Sequence, residues 1–113
     1  MKSFKEIEDI YYFPAWKIAE AVNNQQVLAT EVTKVFLERI DRLNPQLKAW
    51  KFLNHEYALE QAGWVDKIGK PMSLNGVPIG VKDIFNTEVF PTETVSPVWK
   101  GHIAGNDARC VSY

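Results

Sequence analysis

The chain has 113 residues, of which 46% are hydrophobic and 24% charged, and its formal net charge is -1. This length and balance predict one folded soluble domain rather than a disordered chain. The near-zero net charge, with Lys and Arg dispersed, argues against binding of nucleic acid or a membrane surface by bulk electrostatics. A single cysteine, Cys110, excludes an internal disulfide and a Cys-based zinc site. No signal-like or membrane-length apolar run is visible, so a cytoplasmic location is predicted.

Two helices are predicted in the first part of the chain. The first begins at Pro14 and ends at Asn23-Asn24, with an apolar stripe at helical spacing made by Ala15, Ile18, Ala19 and Val22. The second is the clearest element, and its stripe comprises Val32, Val35, Phe36, Ile40 and Leu43. We expect Pro45 to stop it, because proline disfavours helical geometry in the residue before it. Thr30 is the nearest capping side chain at its start.

A strand, a helix and a second strand are predicted next. Leu47–Leu53 is expected to form a short strand, and Val77–Lys82 a buried one rich in β-branched residues. Between them a helix runs from about His55 to Ile68, with Gly69 as its C-terminal cap. The intervening segment is long enough for a parallel crossover, which gives a βαβ unit. The predicted fold class is therefore α/β: N-terminal helices plus a βαβ unit.

The rest of the chain, from Asp83 to Gly105, reads as loop, and a helix is expected to open near Asn106 or Asp107. Two parallel strands cannot cover themselves, because such strands are normally buried on both faces by further elements. The sequence therefore reads as the front part of a larger α/β domain, whose uncovered sheet offers a surface for self-association.

Lys82 is the candidate catalytic residue. In a strand, Val77, Ile79 and Val81 would face one side, and Pro78, Gly80 and Lys82 the other. Gly80 and compact Pro78 leave room beside the lysine, at the strand end where open α/β sheets hold ligands. A desolvated lysine in that place can serve as a base. The alternative is that Lys82 marks the strand end and reaches into solvent beside Asp83.

The other candidate side chains have simpler interpretations. The serines are Ser3, Ser73, Ser96 and Ser112, and none has the sequence context of an activated nucleophile. His55 and His102 lack metal-ligand spacing and are expected on the surface or in loops. Cys110 is expected to be a small buried apolar residue. The four tryptophans are expected in a core or an interface.

The run from Gly76 to Asp83 reads GVPIGVKD, and Pro91–Pro97 reads PTETVSP. These two runs resemble the amidase signature family, whose pattern here is GVPIGVKD-x-x-x-T followed by P-T-x-x-G-S. The flanks agree as well: LERI at 37–40, LNP at 43–45 and GNDA at 105–108 are similar to the family's surrounding segments. The resemblance covers nearly the whole chain from about Trp16.

The resemblance implies an enzyme that hydrolyses a carboxamide or transfers ammonia from it, with a small-molecule amide substrate. Its fold would be the front part of the family's mixed-sheet α/β/α fold, with residues 1–113 a partial amidase domain. The family uses a serine nucleophile, a second serine in a cis peptide bond and a lysine base, and Lys82 falls on the lysine position. Both serines belong to a Gly/Ser-rich run that these 113 residues do not contain, so the chain alone is predicted to be inactive. We predict neither a cofactor nor a metal.

Three departures from the family pattern are visible. Val95 stands where the family usually has Gly, and a β-branched residue would be strained there if the site needs a positive φ. Asn75 occupies a position that is often His. Leu28-Ala29 replaces small hydroxyl residues before the second helix, which weakens its cap.

Other functions stay open at this point. The chain could be an interaction module derived from an amidase, or part of a glutamine amidotransferase similar to the amidase-like subunit of aminoacyl-tRNA amidotransferases. A third reading makes Lys82 a Schiff-base nucleophile in a small lyase.

Overall fold

The computed structural model describes residues 7–112, and side-chain burial from Ile10 onward. Within this range lie a 3₁₀ helix at Ile7–Tyr12, α1 at Ala15–Asn23, α2 at Ala29–Leu47, α3 at His55–Ile68, a second 3₁₀ helix at Pro97–Trp99, and α4 at Arg109–Ser112. The chain divides into two compact units, the first ending at Pro78 and the second beginning at Ile79. No helix in the described range is long and apolar enough to cross a membrane.

The predicted α/β fold with its βαβ unit is wrong, because residues 7–112 contain helices and irregular segments but no β-strand. Leu47 is the last residue of α2, and 48–53 is irregular. There the main chain of Trp50 bonds to the Asn44 side chain rather than to a neighbouring strand: Trp50 N–H donates to Oδ1 (2.9 Å), and Nδ2 donates to the Trp50 carbonyl (3.1 Å). The Val77–Lys82 segment is likewise irregular.

The physical reason is that strand pairing is not a local property. A parallel pair needs cover on both faces, and the alternating apolar pattern supplies no partner by itself. Ile79, expected on a packed face, is 71% exposed. Self-association was expected through an uncovered sheet, and the described residues form no sheet that could mediate it.

The apolar core formed by the described residues lies in the first unit. Its buried members are Ile10, Ile18, Ala21, Val22, Val27, Ala29, Val32, Val35 and Ala62. They come from the first 3₁₀ helix, from α1 and α2, from the turn between those two helices, and from α3. Burying this apolar surface is the main favourable term in folding.

Helices α1 and α3 occur where the sequence predicts them. α1 follows Pro14 and ends at Asn23, and α3 covers His55–Ile68. The Asn54 side chain accepts a hydrogen bond from Tyr57 N–H (3.0 Å) and caps α3 at its start. Gly69, with φ of 60°, closes it as a left-handed C-cap. Ala62 belongs to the core that α3 shares with α2.

Helix α2 does not stop before Pro45. It continues to Leu47, and Lys48 caps it in the left-handed conformation, with φ of 50° and its N–H donating to the Asn44 carbonyl (2.7 Å). Proline removes one N–H from the helix ladder, which is tolerable in a last turn that is held from outside. The two bonds between Asn44 and Trp50 supply that hold.

The start of α2 is capped from a distance. Asp66, on α3, accepts from Ala29 N–H (2.6 Å), Thr30 N–H (3.1 Å) and the Thr30 hydroxyl (2.8 Å). A carboxylate satisfies the free N–H groups of a helix start and interacts favourably with its dipole. Asp66 therefore replaces the local cap that Leu28-Ala29 lacks, and Thr30 is a donor to this cap rather than the cap itself.

The end of the first unit folds back onto α1. Asn23 accepts from Met72 N–H (3.2 Å) and from Asn75 Nδ2 (2.9 Å), and it donates to the Met72 carbonyl (2.9 Å). Gly76 follows with φ of 70°, and a Cβ there would lie 2.9 Å from a Val22 methyl. The glycine that opens the GVPIGVKD run is thus required by backbone conformation and by close packing.

Candidate active-site segment

Lys82 lies near the start of the second unit, and its side chain is exposed. Its carbonyl accepts from Ile84 N–H (2.7 Å) and Phe85 N–H (3.0 Å), so the residue begins a tight turn. The strand end predicted for Lys82 is absent, but its exposure agrees with the alternative interpretation. A lysine base works best when desolvated, and the described residues of this unit do not supply that burial.

Asp83 joins the turn to the Pro91–Pro97 segment. Its Oδ1 accepts from Glu93 N–H (2.8 Å), and its own carbonyl accepts from Thr94 N–H (3.1 Å). Its other carboxylate oxygen, Oδ2, is enclosed and has no hydrogen-bond partner among the described residues. The KD pair and the PTETVSP run, the two motifs singled out in the sequence, are therefore in direct contact.

The second unit has a polar centre. The buried side chains among its described residues are Thr87, Thr92 and Glu93. Glu93 Oε1 accepts from Gly101 N–H (2.9 Å), while Thr92 donates its hydroxyl to the Phe85 carbonyl (3.3 Å) and its N–H to the His102 carbonyl (2.8 Å). These bonds connect three stretches of loop that carry no strand or long helix.

The distal part of the unit is held in the same way. Thr87 Oγ1 accepts from Phe90 N–H and donates to the Phe90 carbonyl, both at 3.1 Å. Asp107 Oδ1 accepts from Glu88 N–H (2.7 Å), and Ala108 N–H donates to the Asn86 carbonyl (2.8 Å) just before α4. Asp107, one of the two residues near which the last helix was expected to open, thus bonds to the loop through its side chain.

Two consecutive residues of the PTETVSP run lie in the left-handed region, Thr94 at φ of 48° and Val95 at 58°. The condition for strain at Val95 is therefore met, because a β-branched side chain is disfavoured at this φ. The Val95 side chain is also 86% exposed, so no packing offsets that cost.

Large apolar side chains of this unit lie at its surface. They are Ile79, Val81, Ile84, Phe85, Val89, Val95, Val98, Trp99 and Ile103, each at least 36% exposed. No apolar side chain among the described residues of the unit is buried. The segment around Lys82 is thus ordered by hydrogen bonds rather than by an apolar core.

The remaining sequence candidates do not join Lys82. Ser96 donates its N–H to the Glu93 carbonyl (2.8 Å), and the Ser112 hydroxyl donates to the carbonyls of Ala108 and Arg109. Ser3 lies outside the described residues. His55 contacts Asp41 at 2.9 Å on the surface, and His102 lies in a loop, as predicted.

One prediction about side-chain burial is wrong: Cys110 is exposed, because α4 is short and presents no buried face. The four tryptophans, expected in a core or an interface, do not lie in the core, since Trp16, Trp50, Trp64 and Trp99 are all exposed. Their place in an interface stays a prediction.

Sequence reasoning misses the roles of Asp83, Thr92 and Glu93. It treats Asp83 only as a solvent-side neighbour of Lys82. A usable signal exists, since Thr, Asp and Glu side chains within a Pro-rich loop commonly bond to nearby backbone and fix its turns.

Comparison with known proteins assigns the family. The Amidase family model matches residues 31–113. A glutamyl-tRNA(Gln) amidotransferase subunit of Bdellovibrio bacteriovorus is 37% identical over 108 residues, which cover 92% of this chain and 22% of that protein. The protein of the same name from Caldanaerobacter subterraneus is 31% identical over 91% of the chain, and that from Marinomonas sp. is 39% identical over 63%.

The chain spans about 22% of the length of the first of these relatives. No solved structure matches it. The family model covers most of the chain, including Lys82, Asp83 and the PTETVSP run. The chain belongs to the amidase family.

Proposed function

We propose that this chain supplies the lysine base of an amidase active site, and that Lys82 is that base. The observation that carries the proposal is the intact GVPIGVKD run inside the family match. In the family's relay, the lysine takes a proton from the bridging serine, which takes one from the nucleophilic serine. Residues 1–113 would thus be a partial amidase domain acting on a small-molecule amide.

The other two members of the relay lie in no segment of these 113 residues, since the sequence has no Gly/Ser-rich run. Without a nucleophile and its oxyanion site, the residual rate should be negligible. The isolated chain is therefore expected to release no ammonia from simple amides or glutamine. Turnover by the isolated chain that Lys82→Ala abolishes would contradict this.

Lys82 can be tested by fusing this chain to the part of the Bdellovibrio protein that lies beyond the matched segment. Ammonia release by the fusion should fall by roughly 10²–10⁴-fold in Lys82→Ala, the usual contribution of a general base. Lys100→Ala is the matched control, because Lys100 is an exposed lysine of the same unit, and its rate should not change. A Lys82→Ala fusion that keeps the full rate would reject the assignment.

A narrower candidate is a glutamine-dependent amidotransferase subunit. The names of the relatives favour it, since they are subunits of glutamyl-tRNA(Gln) amidotransferase. In that case the fusion should prefer glutamine to simple aliphatic amides in kcat/KM. Equal rates on both would favour a general amidase. The cytoplasmic location predicted from the sequence stays a prediction.

A further inference from the structure

The main chain at Lys82 is fixed by a small number of bonds. Its carbonyl accepts two N–H groups, from Ile84 and Phe85, and this sets the turn. None of these bonds involves the lysine side chain, which is exposed. The position of its amine therefore depends on where the turn itself is held.

Asp83 is the residue that holds the turn. Its Oδ1 accepts Glu93 N–H (2.8 Å) and its carbonyl accepts Thr94 N–H (3.1 Å). With the longer bond from the Thr92 hydroxyl to the Phe85 carbonyl (3.3 Å), they join residues 82–85 to the loop at 92–95. The loop is fixed in turn, because Glu93 Oε1 accepts Gly101 N–H. Of these bonds, the one to the Asp83 carboxylate is the shortest, and it leads directly to Glu93 in the polar centre of the unit.

Among the described residues of the unit, no apolar core helps the Asp83 carboxylate to hold the turn in place. The side chains that follow it, Ile84 and Phe85, are 52% and 42% exposed, and the buried side chains nearby are Thr92 and Glu93. In a loop without a core, the loss of its shortest bond leaves only the two longer bonds, to the Asp83 and Phe85 carbonyls, to hold the turn.

We propose that Asp83 is a positioning residue for the amidase reaction: its carboxylate, bonded to Glu93 N–H, holds the Lys82 turn against the Pro91–Pro97 loop. The inference rests on the proposed role of Lys82. It assigns to Asp83 the task of holding the turn, because its Oδ1 accepts Glu93 N–H, whereas Oδ2 has no partner among the described residues.

An asparagine at this position separates the hydrogen bond from the charge. Asp83→Asn keeps an oxygen that can accept from Glu93 N–H and removes the negative charge, while Asp83→Ala removes both. Asp107→Ala is the matched control, since Asp107 makes an equivalent bond to Glu88 N–H in the same unit (2.7 Å).

Amide hydrogen exchange of the 113-residue chain, followed by NMR, is the first measurement. In Asp83→Ala, exchange at Glu93 should accelerate by about tenfold or more, the effect of losing a charge-assisted hydrogen bond. Thr94 should accelerate less, because its acceptor is the main-chain carbonyl of residue 83, which alanine keeps. Asp83→Asn should restore most of the protection. Asp107→Ala should accelerate Glu88 and leave Glu93 unchanged. Protection of the Ala108 amide, which is bonded to the Asn86 carbonyl, shows whether the unit stays folded in Asp83→Ala. If the unit unfolds in that variant, the protection of Glu93 in Asp83→Asn is compared with that in the wild-type chain.

The second measurement is ammonia release by the fusion described above. A displaced base lowers kcat by about tenfold or more and leaves KM nearly unchanged, because positioning acts on the chemical step. Asp83→Ala should show this split, and Asp83→Asn should recover most of kcat.

The two measurements distinguish the failure of this inference from that of the proposed function. Unchanged exchange at Glu93 in Asp83→Ala, or an Asp83→Asn chain as unprotected as Asp83→Ala, would overturn the inference whatever the fusion does. A fusion that remains fully active in Lys82→Ala would overturn the proposed function. The bond between the Asp83 carboxylate and Glu93 N–H would then have no role in catalysis, even if the exchange results are as expected.

Discussion

Gly76 and Val95 occupy the same backbone region with opposite consequences for stability. Both have positive φ, at 70° and 58°. Gly76 has no Cβ where one would lie 2.9–3.0 Å from Val22 and Ala29. Val95 carries a β-branched side chain at a conformation that L-residues avoid, and it lies in solvent. One position uses the conformational freedom of glycine, and the other lacks it.

Gly76→Ala should lower the free energy of unfolding by about 2–4 kcal/mol, since it adds left-handed strain to an overpacked contact. Urea unfolding followed by circular dichroism measures this. Gly69→Ala is the control, because Gly69 has a similar φ of 60° but nothing within 4 Å of its missing Cβ. It should show the backbone cost alone, about 1–2 kcal/mol. Equal losses in the two variants would mean that the contact with Val22 is unimportant.

Val95→Gly should stabilise the second unit by up to about 1 kcal/mol, because relief of left-handed strain exceeds the added entropy of the unfolded glycine. Amide exchange at Ser96, whose N–H bonds to the Glu93 carbonyl, is the readout. Val98 is equally exposed, at 85%, but is not among the residues with positive φ. Val98→Gly should therefore lower the protection of the Ser96 amide against exchange. Higher protection of that amide in both variants would argue against strain at Val95.

At the scale of elements, the cap of α2 is supplied by α3. Asp66 makes three hydrogen bonds to Ala29 and Thr30, across 36 and 37 positions of sequence. The first turn of α2 therefore depends on the packing of α3 against it as well as on the nearby Glu31, whose side chain accepts from Leu28 N–H (2.9 Å). This couples the two helices beyond their shared apolar contacts.

Asp66→Ala should lower the free energy of unfolding by about 2–3 kcal/mol, since it removes a cap and leaves the hydroxyl and N–H groups of Thr30 half-buried without an acceptor. Thermal or urea unfolding measures the change. Asp41→Ala is the comparison: its bond to His55 lies at the surface, with the two side chains 56% and 45% exposed, and surface pairs contribute little. Similar losses in the two variants would contradict the role of Asp66.

The helices could be predicted from the sequence because their signals are local. Asn54 and Gly69 mark the ends of α3, and the Val32 and Val35 stripe of α2 is buried as its spacing indicates. Pro45 misled the prediction because its cost depends on the Asn44–Trp50 bonds, which lie outside the helix. The prediction of the two strands was wrong for a related reason. Alternation of apolar residues at 77–82 is a property of the local sequence, whereas a strand also needs a neighbouring strand to pair with.

The candidate site could be predicted only in part. Lys82 emerged from the sequence, and its catalytic role remains a prediction. The bonds that fix it were not foreseen, because Asp83 and Glu93 are ten residues apart and no periodicity relates them. Loop geometry of this kind is set by specific side-chain to backbone bonds, which composition and spacing do not specify.

At the scale of the whole molecule, the two units are stabilised by different means. Where side-chain burial is described, the first has an apolar core that includes nine buried residues, and the second has no buried apolar side chain. Local stability follows buried apolar contact and protected hydrogen bonding. Resistance to opening should therefore differ along the chain.

Amides within α2 should exchange more slowly than those of Thr92 and Ala108 by roughly a hundredfold or more, because the loop bonds of the second unit open without disrupting a core. Native-state hydrogen exchange measures both sets in one sample. Increasing urea at low concentration should accelerate α2 more steeply, since its exchange requires exposure of more surface. Uniform protection across both units would show that they unfold as one.

The polar centre of the second unit has a consequence for calorimetry. Exposure of apolar surface raises heat capacity on unfolding, whereas exposure of polar surface lowers it. Because Thr87, Thr92 and Glu93 are its buried side chains, opening of this unit should add little to the heat-capacity change of the chain. The curvature of the chain's stability with temperature should then come almost wholly from the residues before Ile79, and cooling should weaken that part while leaving the turn at Lys82 nearly unaffected.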